Sequence, residues 1–441
     1  MTRHVAIFGH YGNGNLGDEA ITEAAIQSAR RLLNASRITL FSVVPEDSAQ
    51  RHGLDAHAIR PPARFVPRGT PNKMPPTAPK SASTLAAPSG VKASVRRLPL
   101  IRGTLDALES ARALPGDMTD QRAFRRAARA ALEDVDLLII AGSNQFLDNF
   151  GGTWGFPFTL LNWTELCNQT GTVCVFLSVG AGPITKPLSR LMVRRAIAKS
   201  HFHSYRDRRS LELIEGTSAR LGGEVCPDLA CNLDFPDRPL DYETPQWTVA
   251  INPMPVYGDY WYVQDPTRYR RYLATLATLA EYAGSLGHRV LLFPTQTRDM
   301  DAIHDLAVLL DERKKIGASQ IDVASPRTTQ DLMAVIQSAH VIVPTRFHGT
   351  ILGLLAQRLV LSVCYQDKAR DAMIEAGQGA FAHMLDTMDS RDLCTGLDNL
   401  FAAKDIALER IARQTQQDRA AVNAQYTHIA RQLDRWIAST R

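Results

Sequence analysis

Short runs of apolar, often β-branched residues alternate with longer amphipathic stretches along most of this chain. The runs lack the polar alternation of a strand with one wet face, as in Leu137–Ala141 (LLIIA) and Val249–Ile251 (VAI). Strands of this kind are buried on both faces, which is typical of parallel sheets covered by helices. Between the first two runs, apolar and small residues recur at helical spacing from Ile21 to Leu32. The alternation therefore predicts an α/β protein built from doubly wound parallel sheets.

The predicted strands fall into two blocks. In the first block they are Val5–Gly9, Ile38–Val44, Asp136–Gly142, Thr172–Ala181 and His201–Tyr205. In the second they are Trp247–Asn252, Arg289–Pro294, Gln320–Ala324, Val341–Val343 and Leu359–Tyr365. Two blocks of alternating strands and helices predict two Rossmann-like domains, because each block is long enough to bury its own sheet.

The domain limits follow from breaks in this pattern. The stretch Asp234–Pro245 is rich in proline and acid, so it marks the join between residues 1–235 and 246–400. Residues 401–441 are predicted to form one or two amphipathic helices that pack back on the body, with Ile411, Ala420, Ile429, Leu433 and Trp436 on one face. Pro61–Gly90 is dense in Pro, Ala, Ser and Thr, which predicts a flexible insertion over 61–100.

Composition and charge exclude several classes of function. The net charge is only +5 from 50 basic and 45 acidic residues, so nucleic-acid binding is not indicated. The six cysteines form no Cys-x-x-Cys pair and no histidines lie at zinc spacing, so no metal site is predicted.

Targeting signals are also missing from the sequence. No signal peptide is recognisable, and the longest apolar stretch, Thr172–Ile184, is too short to cross a bilayer. We therefore expect a cytoplasmic protein with at most peripheral contact at the inner face of the membrane. The oligomeric state stays open.

The stretch Val343–Leu355 joins a buried strand to a helix. Pro344 ends the strand, and Thr345 is a good N-cap residue, which would place Arg346 and His348 in the first helical turn. Helix N-termini bind anions, so these two side chains and the helix terminus predict an anion site. The terminus should keep the imidazole neutral, and a bound phosphate should favour its protonation. His348 is therefore a candidate proton-transfer group.

A glycine-rich loop, Gly9–Ala20, follows the first predicted strand and opens the first helix. It is neither a P-loop nor a Gly-x-Gly-x-x-Gly dinucleotide motif. Glycines such as Gly14 and Gly17, with Asn15 between them, allow backbone N–H groups to approach a ligand closely. Asp18 either complements the helix dipole or acts as an acid, a base or an orienter of a hydroxyl group.

Further polar residues follow other predicted strands, where ligands bind in open α/β sheets. Arg206 and Asp228 each follow a short apolar run. Gln296 follows Pro294 and is suited to sugar hydroxyls, although a helix start at Asp299 explains the segment equally well. Lys368 is either a point charge for an anion or a surface lysine.

Together these segments resemble the polysaccharide pyruvyl transferase family. The matching pieces run in order over most of the chain: Gly12–Ala20, Ser178–Pro183, Tyr205–Ser210, Pro227 with Asp228, Pro294–Gln296, Arg346–His348, and Tyr365 with Lys368. The resemblance implies two Rossmann-like domains facing a cleft, as in GT-B glycosyltransferases. It also implies transfer of pyruvate from phosphoenolpyruvate to two hydroxyls of a sugar, in a polysaccharide such as an exopolysaccharide or in a lipid-linked oligosaccharide, forming a ketal.

The resemblance also implies roles for residues, with phosphoenolpyruvate as donor substrate and no bound cofactor. His348 and Asp18 are the expected catalytic groups. Contacts to phosphoenolpyruvate are expected from Arg206, Arg346, Lys368, Gly14, Asn15 and Gly17, and contacts to the saccharide acceptor from Gln296, Asn144 and Asp228.

Two segments depart from the family pattern and keep other functions open. Ala141–Gln145 stands where many relatives carry a glycine triplet, and Asn252–Met254 stands where they often carry an arginine. Both are expected to line the cleft. The alternatives are a GT-B-like glycosyltransferase that uses a nucleotide sugar, and a non-catalytic saccharide-binding relative.

Overall fold

The computed structural model describes residues 2–61, 118–216, 221–258, 261 and 263–440. Secondary-structure elements are numbered along these residues. The insertion predicted over 61–100 lies outside the described residues, except for Pro61.

The first sheet has seven parallel strands in the order β3-β2-β1-β4-β5-β6-β7. Its strands are β1 Arg3–Phe8, β2 Ala35–Ser42, β3 Asp55–Ala58, β4 Leu137–Ala141, β5 Val173–Val179, β6 Phe202–Tyr205 and β7 Glu224–Val225. Its helices are α1 Leu16–Leu32, α2 Pro45–His52, α3 Met118–Leu132, α4 Phe156–Thr170, α5 Pro187–Ala198 and α6 Arg208–Glu215, with short 3₁₀ turns at Gly152–Trp154 and Leu229–Asn232. The strand order reverses between β1 and β4, which marks the place where ligands bind in such sheets.

The second sheet has five parallel strands in the order β10-β9-β8-β11-β12. They are β8 Thr248–Asn252, β9 Arg289–Leu292, β10 Ile321–Val323, β11 Val341–Pro344 and β12 Leu359–Val360, and a separate pair joins β13 Ser362–Cys364 to β14 Ala382–Met384. The helices are α7 Pro266–Ser285, α8 Asp299–Arg313, α9 Thr329–Gln337, α10 Phe347–Leu355, α11 Asp367–Glu375 and α12 Ser390–Ala402, with 3₁₀ turns at Ala318–Gln320 and Gly379–Phe381. The order reverses between β8 and β11.

The predicted fold class is confirmed, because both main sheets are parallel and doubly wound. Each predicted strand overlaps an observed one. The strands β3 and β7 were not predicted because their residues are mostly exposed or half-buried, so they lack a continuous apolar run. The boundaries 1–235, 246–400 and 401–441 stay predictions.

The C-terminal segment forms one continuous helix, α13 Lys404–Thr440, that contacts both halves of the molecule. Near its start, Thr415 donates a hydrogen bond to the carbonyl of Leu354, 3.2 Å away. Further along, Gln425 bonds to the hydroxyls of Ser178 and Ser204 in the first sheet. Ala420, expected on the buried face, is exposed. In the described part of the chain, no helix is long and apolar enough to cross a membrane.

Candidate active site

A cavity of about 620 Å³ lies between the two sheets, at the carboxyl ends of their strands. The first half contributes residues that follow β1, β4, β5 and β6, and the second half contributes residues that follow β9, β11 and β13. The chain therefore gathers at one cavity loops that are far apart in sequence, as expected where parallel strands end.

Seven of the predicted site residues line this cavity: Asn15, Asp18, Asn144, Arg206, Arg346, His348 and Lys368. Four others are not among its lining residues: Gly14, Gly17, Asp228 and Gln296. The roles assigned to all eleven residues stay predictions.

The loop after β11 differs from its predicted form. The helix α10 begins at Phe347, and its N-cap is Arg346, which has an extended backbone. The N-cap predicted at Thr345 is wrong, because this buried residue uses its hydroxyl to bond the phenol of Tyr272, at 2.7 Å. His348 is the second residue of the helix, as the sequence indicated.

Asp299 holds the guanidinium of Arg346 in place. One oxygen of this fully buried carboxylate accepts hydrogen bonds from Nε and Nη2 of Arg346, at 2.9 and 2.6 Å. The other oxygen accepts from the backbone N–H groups of Thr295 and Gln296, at 3.0 and 3.1 Å. Charge-assisted bonds of this kind give a fixed geometry. Sequence analysis missed this role, because Asp299 had only the signal of a helix start.

His348 packs tightly against the first helix of the other half. A Cβ added to Gly17 would lie 2.4 Å from ring atoms of His348, so only glycine fits there. Nε2 of the imidazole is buried and has no hydrogen-bond partner among the described residues. Burial, followed by the charges of Lys368, Arg206 and Arg346, lowers the pKa of His348 well below its usual value. The imidazole is therefore neutral near pH 7.

Two cations lie close to the ring of Phe347. Cζ of Arg206 and Nζ of Lys368 each lie 4.8 Å from the centre of its ring. Cations at this distance from an aromatic face are attracted to it. Arg206 also donates to Asn144 Oδ1 at 3.1 Å, and a Cβ at Gly180 would lie 2.5 Å from its Nη2. Sequence analysis matched Phe347 to the family motif but gave it no role.

Asp228 lies behind Arg206 rather than in the main cavity. Its Oδ2 is 3.6 Å from Nη1 of Arg206, and its Oδ1 accepts the N–H of Ala230 at 3.0 Å. It lines a separate small cavity of about 80 Å³. Asp228 therefore supports the arginine and caps a 3₁₀ turn.

Lys368 is half-buried at the cavity, where the described residues offer its ammonium no salt bridge. Burial, followed by the charge of Arg206, lowers its pKa to about 7, although nearby carboxylates including Asp18 raise it. The side chain therefore gains a full positive charge readily when an anion arrives.

Asp18 is a buried carboxyl group at the cavity wall. Asn15 Nδ2 and Ser143 Oγ donate hydrogen bonds to it, at 2.7 and 3.1 Å. Burial raises its pKa to about 7, while the bond from Ser143 opposes the rise. A carboxyl group with this pKa is suited to proton transfer near neutral pH. The neighbouring Glu19 has a different role, because it accepts the N–H of Gly12 at 2.8 Å and supports the loop.

The two segments that depart from the family pattern both serve the site. Gly142 and Ser143 have φ of +46° and +54°, a conformation that favours glycine, and Ser143 uses it to reach Asp18. Asn252 is buried at the end of β8, outside the cavity lining, and its Oδ1 accepts the N–H of Arg346 at 3.4 Å. The first segment thus provides a hydrogen bond to Asp18, and the second supports the backbone of Arg346.

Gly14 and Gln296 join the two halves. The backbones of Asn15 and Gln296 form an antiparallel bridge, and Thr297 donates its N–H to the carbonyl of Gly14 at 3.2 Å. Gly14 has φ of +71°, and a Cβ there would lie 2.8 Å from Oγ1 of Thr297. These contacts fix the loop after β1 against the second half. Over the described ranges, no group of three or more His, Cys, Asp or Glu residues is placed to hold a metal ion.

Comparison with known proteins identifies the family and the fold. A family model described as polysaccharide pyruvyl transferase matches residues 15–363. A search of curated proteins found no significant match.

Solved structures are similar in fold at low sequence identity. One is a UDP-GlcNAc 2-epimerase from Neisseria meningitidis bound to UDP-GlcNAc, with 8% identity, 96% of this chain and 98% of that chain covered, and a TM-score of 0.54. Another is an S. aureus MnaA–UDP structure, with 8% identity, 96% and 92% covered, and a TM-score of 0.51. A third is an α,α-trehalose 6-phosphate synthase from Burkholderia multivorans, with 12% identity, 100% of both chains covered, and a TM-score of 0.50. These likenesses establish a GT-B-like fold.

Proposed function

The chain belongs to the polysaccharide pyruvyl transferase family, and we propose that it transfers pyruvate from phosphoenolpyruvate to two hydroxyls of a saccharide, forming a ketal. The acceptor is a polysaccharide or a lipid-linked oligosaccharide. The observation that carries this proposal is the convergence of Arg206, Arg346, His348 and Lys368 on one cavity. Phosphoenolpyruvate carries a carboxylate and a phosphate, and its binding requires several cations and N–H donors.

The donor is held from both halves of the molecule. Arg346 presents its guanidinium beside the start of α10, where N–H groups lack partners within the helix. Arg206 and Lys368 lie close to the ring of Phe347. Together with Arg346 they form what we call the cationic wall. In this proposal, the phosphate lies at the helix terminus near His348, and the carboxylate lies between Arg206 and Lys368.

The reaction balances without a cofactor. A proton adds to the methylene carbon of phosphoenolpyruvate, and positive charge develops at the central carbon. The first hydroxyl oxygen bonds to this carbon and loses its proton. The carbon–oxygen bond to phosphate then breaks, and phosphate leaves with the electron pair. The second hydroxyl oxygen bonds to the same carbon and closes the ketal, and its proton leaves with phosphate.

Two groups move the protons in this scheme. The dianionic phosphate raises the pKa of His348, which then gives its proton to the methylene carbon. Asp18 takes the proton of the first hydroxyl, since its pKa of about 7 makes it a usable base at neutral pH. Transfer from Asp18 back to His348 restores both groups. Ser143 and Asn15 orient the carboxylate throughout.

Proton uptake on donor binding provides a direct test. Lys368 is largely neutral at pH 8, because its pKa is about 7, and the donor's anions should charge it. We expect calorimetric titration with phosphoenolpyruvate at pH 8 to show uptake of up to about two protons per site from the buffer, one on Lys368 and one on His348. Lys368→Met should remove about half of that uptake, and His348→Ala the other half. Binding without uptake in the unaltered protein would contradict this account of the cationic wall.

Turnover is tested with purified protein, phosphoenolpyruvate and saccharide acceptors, by phosphate release and by the product mass. His348→Ala should lower kcat by about 100-fold or more, because general acid catalysis contributes roughly 10²–10⁴-fold. The matched control is His304→Ala, an exposed histidine on α8. Undiminished turnover by His348→Ala would remove this residue from the mechanism.

Thermal stabilisation and ligand binding separate the rival functions. A cationic cavity also suits the diphosphate of a nucleotide sugar. Thermal stabilisation by UDP or GDP, with none by phosphoenolpyruvate, would favour a glycosyltransferase. Saccharide binding without turnover of any donor would indicate a non-catalytic relative.

A further inference from the structure

The cavity has a second wall that the chemistry above does not use. Its side chains are His10, Leu147, Asn149, Phe150 and Phe156, all from the first half, and we call this group the neutral wall. A cavity of about 620 Å³ falls in the range of about 300–1,000 Å³ that holds drug-sized ligands, so a three-carbon donor leaves much of it unfilled.

The neutral wall lies apart from the three cations of the donor site. Among the described residues, the charge of Arg60 acts on the pKa of His10, whereas Arg206, Arg346 and Lys368 act on that of His348. Burial, followed by Arg60, lowers the pKa of His10 to about 4, so its imidazole is neutral. The five side chains of the neutral wall carry no charge at neutral pH. The guanidinium of Arg60 lies over the ring of Phe156, 4.5 Å from its centre, but is not among the residues that line the cavity.

Two buried polar atoms on this wall lack partners. Neither Nδ1 of His10 nor Oδ1 of Asn149 has a hydrogen-bond partner within the described ranges. Buried polar atoms are nearly always hydrogen-bonded, so these two side chains, which both line the cavity, keep an unused hydrogen-bonding capacity. The rings of His10 and Phe156 meet edge to face, with centres 5.4 Å apart, and hold the imidazole in position.

The loop that carries the rest of the wall is rigid. Asp148 accepts the backbone N–H groups of Thr185 and Lys186, at 3.0 and 2.9 Å, which ties the loop after β4 to the loop after β5. Phe146 and Ala181 form a parallel bridge between the same two loops. Asn149 and Phe150 are therefore presented from a fixed support, as a binding site requires.

We propose that the neutral wall binds the saccharide acceptor, with His10 and Asn149 bonding its hydroxyls and Phe150 and Phe156 contacting its apolar ring face. Apolar surface with a few placed polar groups suits a neutral sugar ring. Asn144 lines the same cavity and bonds Arg206, so it connects this wall with the donor site. The inference deepens the proposed function and rests on it, and it names an acceptor without acidic groups at the bound sugar.

The test measures binding, which does not require turnover. Full-length protein is titrated with the methyl glycosides of glucose, galactose, mannose and N-acetylglucosamine, each with and without phosphoenolpyruvate, and binding is followed by saturation-transfer NMR. At least one glycoside should bind, and His10→Ala and Asn149→Ala should each weaken that binding about ten-fold. The exposed residues His304 and Asn168 provide matched controls, His304→Ala and Asn168→Ala, with unchanged binding.

Thermal stabilisation by phosphoenolpyruvate checks the donor site and the folding of each variant. His10→Ala and Asn149→Ala should keep the stabilisation seen in the unaltered protein. Glycoside binding that survives both substitutions, or no binding of any glycoside to the unaltered protein, would contradict the proposal that the neutral wall binds the acceptor. Absence of stabilisation in the unaltered protein would instead count against phosphoenolpyruvate as donor, so the two failures are distinguishable.

Discussion

The two halves of this protein share a strand order, but the loops at their reversal points bring different side chains to the cavity. In the first half, the strands around the reversal point, β1 and β4, are followed by Asp18, Ser143 and Asn144. In the second half, β11 is followed by Arg346 and His348. The topology decides where the strand ends meet, and the loop residues decide which charge they bring.

The two halves also hold their arginines differently. Arg346 is fixed within its own half by Asp299, through two hydrogen bonds of 2.9 Å or less. Arg206 has longer contacts in its own half, with Asn144 at 3.1 Å and Asp228 at 3.6 Å, and also contacts the ring of Phe347 of the other half. Arg346 is therefore held by a carboxylate of its own half, while Arg206 is held from both halves.

The largest expected effect comes from removing the buried carboxylate of the second half. Asp299→Asn leaves the guanidinium of Arg346 without its counter-charge, and breaking a buried pair from one side costs about 3–5 kcal/mol. We expect the lower end of this range, a loss of about 3 kcal/mol in the free energy of unfolding, because the guanidinium of Arg346 reaches the cavity and is not fully buried. Urea denaturation measures it. Asp228→Asn in the first half is the matched variant and should cost about 1 kcal/mol. Equal losses would contradict the comparison.

The next effect concerns the shape of the two cations. Arg346→Lys should lower kcat/KM for phosphoenolpyruvate about 100- to 1,000-fold, because an ammonium cannot keep both bonds to Asp299 while facing the donor. Arg206→Lys should cost only about ten-fold, since an ammonium also binds to the face of Phe347. Steady-state kinetics measure both variants. A larger loss for Arg206→Lys would reverse the assignment of the more rigid cation.

A smaller effect is expected in the pH dependence set by the first half. As a base, Asp18 must be ionised, so its ionisation should give kcat/KM a limb that rises with pH near 7, and loss of the proton of Lys368 should give the falling limb. Ser143→Ala removes a hydrogen bond that lowers this pKa, so the rising limb should move to higher pH by about one unit. Ser143→Gly also removes the hydroxyl but relieves the φ of +54°, so a similar shift in both variants assigns the effect to the hydroxyl. A limb that stays in place would exclude Asp18 as the base.

The smallest effect concerns the glycines that join the halves. Gly14→Ala places a Cβ 2.8 Å from Thr297 at a φ of +71°, and it should lower the free energy of unfolding by about 1 kcal/mol or more. Gly17→Ala instead presses on the ring of His348, so it should lower kcat more than stability. Thermal denaturation and kinetics on both variants separate these outcomes. If both variants lost the same stability and Gly17→Ala kept full activity, the contact of Gly17 with the imidazole would have no role in catalysis.

Much of the fold and part of the site were predictable from local pattern. Buried parallel strands show as unbroken apolar runs, and their carboxyl ends show as the polar residues that follow. Arg206, Arg346, His348 and Lys368 follow such strands, so the sequence predicts them as site residues, and the structure shows that they line one cavity. The edge strands β3 and β7 were not predicted, because a half-exposed strand has no continuous run of apolar residues.

By itself, the sequence determined the class of fold, the two sheets and the positions where polar residues follow strands, since these depend on neighbours along the chain. Only the tertiary structure decided that Asp299 holds Arg346, 47 residues away, and that Thr345 bonds Tyr272 instead of capping a helix. It also decided the proton affinities of Asp18 and Lys368. The physical reason is that burial and charge act through space, between segments whose proximity no local pattern records.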